Sequence, residues 1–600
     1  METDRTVTET PHDPQVTGES LTLVSMFEQS VARSPDATAV SDGRHRLSYA
    51  ELSRRADDAA RVLAEHGVGP GDRVAVHLPR DVELIVVLLG VLKAGAAYAA
   101  IDTGYPEARR DLMVRSAQAR VCVSATGRPA PSESCGVPVV GWPADPAGTT
   151  GERTVAVRPE DAASMVFTSG STGTPKPVVL EHRNLVAFAR NRSLPTPRSE
   201  DRVGQISSVS FDLFHFELWC SLAAGSEIVM LPPVPKLLEG GFQEELRRRQ
   251  VTVLIPPTMV VNQVVKAEPT AFSSLRLLLT GGDVLLPATC EELFAAGFNG
   301  RLINVYGPSE GTTACTWHDV TTADLDGDPI PIGQPLDGCT IHLLDEDLRP
   351  VAFGEPGQIH LGGSGVARGY LGREEATRER FLEYADLGRL YATGDLARQR
   401  ADGALMFLGR ADDQVKIKGY RVEPREVEHF LSNHPQLREV AVLAIGRGED
   451  RRLAAAVVGH GDVCLRSVRS YAEQQLPAHL VPAGLVLLPD MPMTAHGKRD
   501  RTELRRLLQE DAERHAGHVA PESDAEIGVS QLWQELLGVE RIGAQENFFH
   551  LGGHSLLAFR LAQQITERFH VQIEYADLQR HPTVRALAAL IGTRSLEAVT

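Results

Sequence analysis

Short apolar runs, rich in β-branched residues, recur along the chain from about residue 20 to residue 408. Four examples are Arg73–Leu78, Val251–Ile255, Arg276–Leu279 and Leu302–Tyr306, and each runs into glycine, proline or polar residues. Helical patterns separate these runs. Strands buried on both faces and alternating with helices are typical of a layered, mostly parallel α/β sheet. We therefore predict a large α/β domain over residues 20–408.

The pattern changes near Gly409, and three further regions follow. A basic strand-like segment, Gln414–Lys418, and a helix from about Pro424 to Leu431 indicate a smaller α+β subdomain over residues 409–510. Residues 511–524 are polar and read as a linker. The last region, residues 525–597, has three helical patterns and predicts an all-α helical bundle; the patterns are Ala525–Leu537, Ser555–Phe569 and Val584–Ile591.

Charge and composition exclude several classes of protein. The formal net charge of −18 over 600 residues disfavours a nucleic-acid partner or an anionic membrane. The most apolar run, Leu84–Leu92, is too short to span a bilayer and predicts a buried helix. Seven scattered cysteines suit a reducing compartment. The first 20 residues are polar and predict a flexible tail without an apolar signal segment, so we expect a cytoplasmic protein.

A loop rich in serine, threonine and glycine, Thr168–Lys176, follows the apolar run Ala163–Phe167. Its glycines allow close backbone approach, its hydroxyl and N–H groups can donate to oxyanions, and Lys176 adds positive charge, so it has the groups of a phosphate cradle. It is not a P-loop, because Pro175 and Pro177 flank the lysine. A surface turn of small residues is the alternative.

Further motifs occur in a fixed order around this loop. With it, they resemble the core motifs of the adenylation domains of non-ribosomal peptide synthetases, within the adenylate-forming superfamily, and the resemblance covers about residues 20–510. The departures are Pro177, where a glycine is usual, and Ala100, where a proline is common. The motifs are Leu47–Leu52, Leu92–Tyr98, Asn304–Glu310, Gly362–Leu371, Tyr391–Leu396, Gly409–Asp412, Gln414–Glu428, Leu476–Pro482 and Thr494–Lys498.

The resemblance implies an ATP site with Mg²⁺. Lys176 would hold the triphosphate, Lys498 would bridge the substrate carboxylate and the forming adenylate, and Glu310 would bind Mg²⁺, which prefers carboxylate and phosphate oxygens. Asp412 would be the hinge. Taken singly, such charges are usually solvated surface groups. The implied ATP-binding residues are Thr168, Ser169, Thr172, Asn304, Tyr306, Ser309, Asp395 and Arg410.

The segment Asn547–Leu556 resembles the phosphopantetheine attachment motif of peptidyl carrier proteins. Ser555 would begin a helix, whose N-terminus favours the phosphodiester of a 4′-phosphopantetheine arm. The alternative for an isolated serine before a helix is a plain N-cap. The resemblance implies that a phosphopantetheinyl transferase loads the arm on Ser555.

The segment Phe211–Trp219 aligns with the substrate-pocket motif of the same family. Asp212 would pair with the α-ammonium group of an amino acid. The uncharged wall disfavours a charged side chain, and its residues most resemble the family's pockets for isoleucine or valine. Proline, alanine or a non-proteinogenic acid stays open, and so does the reading of Leu213 and Phe216 as core residues. The other implied pocket residues are Leu213, Phe216, Leu254, Leu279, Gly281, Val305, Thr313 and Ala314.

These motifs together predict an ATP-dependent ligase that loads an amino acid onto its own carrier domain. An acyl-CoA ligase would not need Asp212 or a carrier, and a non-catalytic scaffold would not need Lys176 and Lys498. With no condensation or thioesterase region in the sequence, we expect a stand-alone loading didomain. Its tethered product would pass to tailoring or condensation enzymes in natural-product biosynthesis, and the need for an MbtH-like protein stays open.

Overall fold

The computed structural model of the chain describes most of its residues. For Ser555, Leu556 and residues 595–597, only the backbone is described. The described residues are 7–9, 21–127, 135–144, 155–169, 174–239, 241–325, 329–384, 386–411, 414–417, 419–446, 451–461, 463–492, 499–514, 521–537, 542–548, 551 and 555–597.

Two large sheets form the centre of the first domain. Both are parallel in their middle and antiparallel at one or both edges. The nine-stranded sheet has the order β16-β15-β14-β13-β12-β10-β11-β2-β3, and its strands are β2 (Thr38–Ser41), β3 (Arg46–Ser48), β10 (Arg202–Gln205), β11 (Glu227–Met230), β12 (Val253–Leu254), β13 (Leu277–Gly281), β14 (Arg301–Tyr306), β15 (Thr316–Val320) and β16 (Gln334–Pro335).

The seven-stranded sheet has the order β19-β9-β8-β5-β4-β6-β7. Its strands are β4 (Arg73–His77), β5 (Ala97–Ala100), β6 (Val121–Ala125), β7 (Val139–Trp142), β8 (Ala162–Thr168), β9 (Lys176–Glu181) and β19 (Gly369–Tyr370). The predicted parallel α/β domain is therefore confirmed.

A third, antiparallel sheet completes the domain. The sequence pattern of residues 1–20 predicted only a tail, but Val7–Glu9 pair with the edge of this sheet, so the tail prediction is wrong for these three residues. The strands are β1 (Val7–Glu9), β17 (Cys339–Leu344), β18 (Gly357–Gly363), β20 (Phe381–Tyr384), β21 (Gly388–Gln399) and β22 (Leu405–Arg410).

The helices of this domain cover the sheets and bury an apolar core between them. The predicted buried helix is Val82–Lys93, which has ten buried residues, and Asp81 caps its N-terminus. Gly90 lets it pack closely on Ala59, since a Cβ at Gly90 would lie 2.5 Å from that methyl group. The other helices are Leu23–Arg33, Tyr49–Glu65, Glu107–Ser116, His182–Ala189, Leu213–His215, Ser221–Ala224, Val234–Glu239, Phe242–Arg248, Thr258–Ala267, Pro287–Ala295 and Glu374–Arg380.

The smaller α+β subdomain contains a hairpin and a three-stranded sheet. The hairpin is β23 (Val415–Ile417) with β24 (Tyr420–Val422), and the helix Pro424–Leu431 has the bounds that the sequence predicted. The sheet has strands β25 (Leu437–Ile445), β26 (Arg452–Gly459) and β27 (Gly484–Leu487), flanked by helices Leu465–Gln475 and Arg501–Arg514. The last helix extends four residues into the stretch predicted as a linker.

The C-terminal region is a helical bundle, as predicted. Its helices are Asp524–Leu537, Ser555–Phe569, Tyr575–Arg580 and Val584–Glu597, around a core of its own. The helix Tyr575–Arg580 is missing from the prediction because six residues show too little periodicity. The helix that begins at Ser555 contacts Val234–Glu239 of the first domain. Within the described residues, no helix has the length and hydropathy needed to cross a membrane.

Candidate active site

A cleft lies where parallel strands of the two large sheets end. The strands β8 and β14 deliver Thr168 and Tyr306 to its edge, and Gly281 closes β13 beside it. Loops after the carboxyl ends of parallel strands are the usual ligand sites of open α/β sheets. Residues from five parts of the chain line the cleft together: 211–213, 281–282, 305–313, Asp395 with Arg410, and the hairpin of the smaller subdomain.

The phosphate end of the cleft combines a buried hydroxyl and a half-buried cation. Thr168 Oγ1 is buried and has no hydrogen-bond partner among the described residues. Burial lowers the pKa of Lys176, and its Nζ lies 5.0 Å from the centroid of the Tyr370 ring rather than at a carboxylate of the described chain. A buried donor and a half-buried cation of this kind fit an anionic ligand. Thr172 lies outside the described residues.

Glu310 is fully buried in a short 3-10 turn, Ser309–Gly311. Burial opposes its ionisation, but the Arg421 guanidinium and the hydrogen bond from Tyr370 outweigh burial and lower its pKa. Tyr370 donates to Oε1 at 2.6 Å, and Arg421 Nη1 lies 3.1 Å from Oε2. A carboxylate kept ionised at the phosphate end fits a Mg²⁺ ligand. The sequence did not single out Tyr370 or Arg421 for this role.

The opposite end of the cleft holds an aromatic ring and a fixed carboxylate. The Tyr306 hydroxyl donates to Asp395 Oδ2 at 2.6 Å, and Arg410 donates to Oδ1 at 2.5 Å. The Tyr306 ring packs against Phe407, with 6.1 Å between centroids. Asn304 donates its amide to the carbonyl of Pro331 at 2.8 Å and so braces β14. This arrangement fits a nucleoside, with the ring facing a base and Asp395 facing ribose hydroxyls.

Asp212 is a buried carboxylate at the head of the candidate amino-acid pocket. Ser309 donates to its Oδ2 at 2.5 Å, which brings together two residues that the sequence assigned to different motifs. Burial raises the pKa of Asp212 to about 6. No cation of the described chain lies within ion-pair distance of it, although Lys416 is near enough to act on its charge. A cationic ligand would therefore be stabilised here.

The structure brings some predicted pocket residues to the cleft and leaves others behind it. The cleft is narrow, about 60 Å³, because the hairpin enters it. Phe216, Leu279 and Ala314 are buried in the core behind the cleft. The side chain of Leu254 lies on the opposite side of the sheet from these three residues, against Gly204, and belongs to a second core. The predicted pocket residues that line the cleft are Asp212, Leu213, Gly281, Val305 and Thr313.

A buried chain of polar side chains supports the pocket floor. Ser164 Oγ lies 3.1 Å from His215 Nε2, and His215 Nδ1 lies 3.5 Å from Thr313 Oγ1. Thr313 in turn donates to the backbone carbonyl of Asp212 at 3.0 Å. Burial lowers the pKa of His215 to about 3, so the ring is neutral. Sequence analysis missed this histidine, whose only signal is a polar residue inside the apolar run Leu213–Trp219.

The backbone around Thr313 is unusual. Thr312 and Thr313 have φ angles of 61° and 72°, which β-branched residues rarely adopt. Hydroxyl hydrogen bonds hold both residues, and Thr312 donates to the carbonyl of Gly365 at 2.6 Å. Nearby, a turn of π-helix, Phe216–Cys220, interrupts the helix that follows Asp212. Strained backbone and π-helical turns that the surrounding structure fixes are concentrated at functional sites.

Besides Thr172, three predicted residues are described incompletely or not at all. Ser555 begins the helix Ser555–Phe569, as the sequence predicted, and only its backbone is described. Phe548 of the same motif is fully buried and packs edge-on against Trp533, with 5.1 Å between ring centroids. The hinge candidate Asp412 and the catalytic candidate Lys498 lie outside the described residues.

Family models match three regions of the chain in order. Residues 27–371 match the AMP-binding enzyme model, residues 426–498 match the AMP-binding enzyme C-terminal domain, and residues 528–591 match the phosphopantetheine attachment site. The first match covers more than half of the chain.

The chain belongs to the AMP-binding enzymes.

The structure of holo-PA1221, a non-ribosomal peptide synthetase protein containing adenylation and PCP domains and bound to a vinylsulfonamide inhibitor, has the same architecture. The TM-score is 0.83 at 30% identity, over 96% of this chain and 98% of that one. Curated relatives include malpibaldin synthetase of Mortierella alpina, 36% identical over 94% of this chain. Gramicidin S synthase 2 of Brevibacillus brevis is 34% identical over 95% of it. The chain spans only 10% and 13% of those two relatives.

This AMP-binding enzyme is an adenylation domain followed by a peptidyl carrier domain of the non-ribosomal peptide synthetase kind. It is an amino-acid adenylating ligase that uses ATP with Mg²⁺, and its carrier domain bears a 4′-phosphopantetheine arm. The predicted family, fold class and cofactors are thus confirmed. The features that fit the nucleotide are the buried hydroxyl of Thr168, which has no partner among the described residues, and the half-buried Lys176.

Proposed function

We propose that this chain activates a branched aliphatic amino acid, isoleucine or valine, as its aminoacyl-AMP. The acyl group then passes as a thioester to the phosphopantetheine arm on Ser555. The observation that carries the proposal is Asp212, a buried carboxylate whose pKa is about 6 and whose nearest hydrogen-bond donor is the hydroxyl of Ser309. A buried carboxylate without a cation is costly, and the α-ammonium of an amino acid supplies that cation.

The walls beside Asp212 support an aliphatic side chain. Leu213 and Val305 are apolar, and position 281 requires glycine, because a Cβ there would lie 2.6 Å from the carbonyl of Val305. The hydroxyl of Thr313 is already donated to the backbone of Asp212, so it does not offer its proton to a polar substrate. A charged side chain would be left unpaired in this pocket, at a cost of several kcal/mol, roughly.

The nucleotide roles follow from the two ends of the cleft. At the phosphate end, Thr168, Ser169, Thr172 and Lys176 would hold the phosphates, with Mg²⁺ at Glu310. At the other end, Tyr306 and Asn304 would lie beside adenine, while Asp395 and Arg410 would face the ribose. Lys498 would neutralise the charge that develops as the carboxylate attacks the α-phosphate and pyrophosphate leaves. In this proposal Asp412 is the hinge between residues 20–408 and 409–510.

A phosphopantetheinyl transferase installs the arm on the bundle, residues 525–597, which follows the linker 511–524. The tethered acid would then be taken up by tailoring or condensation enzymes. Tailoring and condensation act on the thioester, because the thioester retains the activation that the adenylate supplied.

Pyrophosphate exchange with each proteinogenic amino acid tests the substrate. We expect isoleucine or valine to give the highest exchange rate, and proline or alanine to be lower by about 10- to 100-fold, because one methylene contributes about 1–3 kcal/mol in an apolar pocket. Asp212→Ala should reduce exchange with all of them, since each amino acid carries the same ammonium. A charged or aromatic acid as the best substrate would contradict the proposed pocket.

Asp212 should also make amino-acid use depend on pH. Its pKa of about 6 means that its carboxylate becomes protonated as the pH falls from 8 to 5. The protonated form cannot pair with an ammonium, so kcat/KM for the amino acid should fall about tenfold per pH unit below 6. Asp212→Asn should show a low and flat profile between pH 5 and 8.

Thermal unfolding provides the control for this variant. Burial raises the folded pKa of Asp212 above its ordinary value of 3.8, so its ionisation destabilises the fold as pH rises through that interval. Asp212→Asn should therefore unfold at a higher temperature than the wild type at pH 8, and the difference should vanish near pH 4. A wild-type kcat/KM profile that stays flat down to pH 5 would remove Asp212 from ammonium binding.

A further inference from the structure

The hairpin Val415–Val422 reaches from the smaller subdomain into the cleft. Arg421 is the hairpin residue that pairs with Glu310: only 17% of its side chain is exposed, and its Nη1 lies 3.1 Å from Glu310 Oε2. Its Nε donates to Oε1 of Gln414, the residue before the hairpin, at 2.7 Å, which fixes the guanidinium. The backbone carbonyl of Arg421 accepts a hydrogen bond from Ser169 at 2.9 Å. The hairpin therefore occupies both the metal carboxylate and a hydroxyl of the phosphate loop.

Other contacts hold the hairpin and the following helix in this position. The Tyr420 ring stacks on His479, with 3.8 Å between centroids, and lies 6.2 Å from the ring of Phe211 beside Asp212. Arg109 of the first domain pairs with Glu426 at 2.6 Å. Since the position of the hairpin depends on several contacts, the pairing of Arg421 with Glu310 belongs to a defined arrangement of the two domains.

We infer that Arg421 is the cation that replaces Mg²⁺ at Glu310 when the hairpin covers the cleft, so that the hairpin and the metal bind this carboxylate in turn. The inference rests on the proposed role of Glu310 as the metal ligand. Mg²⁺ binds carboxylate oxygens at about 2.0–2.1 Å, which would place it beside the guanidinium. Two cations at such a short distance in a buried site repel each other strongly.

Replacement of Mg²⁺ by Arg421 keeps the buried carboxylate of Glu310 paired with a cation. A fully buried carboxylate is costly without a cation, and Glu310 would be left without one if Mg²⁺ dissociated together with pyrophosphate. Arg421 supplies the replacement charge, and it brings with it the hairpin that belongs to the arrangement in which the carrier helix Ser555–Phe569 contacts the first domain. Departure of the metal is thereby coupled to closure of the hairpin.

The first test measures metal affinity rather than turnover. Mn²⁺ binding to the full-length holo-protein is followed by electron paramagnetic resonance in the presence of α,β-methylene-ATP. Arg421→Met removes the competing charge and keeps the apolar stem, so the Kd for Mn²⁺ should fall at least tenfold. Arg425→Met is the matched control: it makes the same substitution, and Arg425 is exposed in the helix Pro424–Leu431 that follows the hairpin. Its Kd should change less than twofold.

The second test uses the wild-type protein and does not depend on the folding of a variant. Hydrogen exchange of residues 415–422 should be slow in the ligand-free protein and should become at least tenfold faster when Mn²⁺ and α,β-methylene-ATP are both present. α,β-Methylene-ATP without metal should leave the exchange slow. Unchanged exchange at saturating metal and nucleotide would overturn the inference, as would equal tightening of Mn²⁺ binding in both variants or no tightening in Arg421→Met.

Glu310→Gln separates this inference from the proposed role of Glu310. If this variant binds Mn²⁺ and α,β-methylene-ATP as the wild type does, Glu310 is not the metal ligand and both proposals fall. If Glu310→Gln no longer binds Mn²⁺, Glu310 is the metal ligand. If in addition Arg421→Met binds Mn²⁺ no more tightly than the wild type, the inference that Arg421 replaces Mg²⁺ is wrong.

Discussion

Ser555→Ala should abolish loading of the carrier domain while leaving adenylate formation intact. In the wild type, a phosphopantetheinyl transferase should raise the intact mass by one phosphopantetheine group, and ATP with the correct amino acid should add one aminoacyl group. The variant should show neither addition, because the alanine methyl cannot accept the arm. Pyrophosphate exchange should continue at the wild-type rate, since the cleft at Glu310 and Asp212 belongs to the first domain.

Ser523→Ala is the matched control, because Ser523 is a second serine at the start of a carrier-domain helix. Its hydroxyl accepts a hydrogen bond from the backbone N–H of Glu526 at 3.1 Å and so caps the helix Asp524–Leu537. Loss of this cap should cost about 1 kcal/mol of stability and leave both mass additions intact. Addition of the arm in Ser555→Ala, or its loss in Ser523→Ala, would place the attachment elsewhere.

Local sequence signals predicted the elements of the fold well. Apolar runs fixed β4, β13 and β14 to within two residues at either end, and the helix Pro424–Leu431 has the predicted bounds because proline at its first turn marks a start. The helix Val82–Lys93 was predictable because almost all of it is apolar. Such signals depend on neighbouring residues, which the sequence presents directly.

Contacts between distant segments were beyond the same reasoning. Tyr306 and Asp395 were both assigned to the nucleotide, but their hydrogen bond joins residues 89 positions apart. Arg421 lies in the motif Gln414–Glu428, but the residues next to it in the sequence do not indicate that its side chain pairs with Glu310. The direction of Leu254 follows from strand alternation: Val253 faces the central core, so Leu254 faces the second one. An assignment of pocket residues by motif does not take into account which face of the strand each residue occupies.

Polar residues in apolar surroundings were the signals that sequence analysis missed. His215 interrupts the run Leu213–Trp219, and it proves to be a neutral, fully buried ring that links Ser164 to Thr313. A buried polar side chain requires partners, so such an interruption predicts a hydrogen-bond network even where it cannot name the partners. Here the network ends on the backbone of Asp212 and so bears on the pocket.

Lys498→Ala should reduce adenylation by about 10²- to 10³-fold. We propose that its ammonium neutralises charge on the carboxylate and the α-phosphate as they join, and loss of one such group typically raises the barrier by about 3–4 kcal/mol. Pyrophosphate exchange measures this half-reaction. Transfer from chemically prepared aminoacyl-AMP to the holo-carrier should continue near the wild-type rate, because the proposed role of Lys498 is confined to the adenylation step.

Arg499→Ala provides the control, since it removes the neighbouring positive charge. Arg499 donates to the backbone carbonyl of Val440 at 2.9 Å and lies 3.9 Å from Glu428, so it anchors the chain to the sheet of the smaller subdomain. Its loss should lower stability by about 1 kcal/mol and change exchange less than threefold. If Lys498→Ala and Arg499→Ala lose pyrophosphate exchange equally, the effect comes from a change in the position of the segment that contains both residues. If Lys498→Ala slows transfer from the preformed adenylate as much as it slows exchange, Lys498 is not specific to the adenylation step.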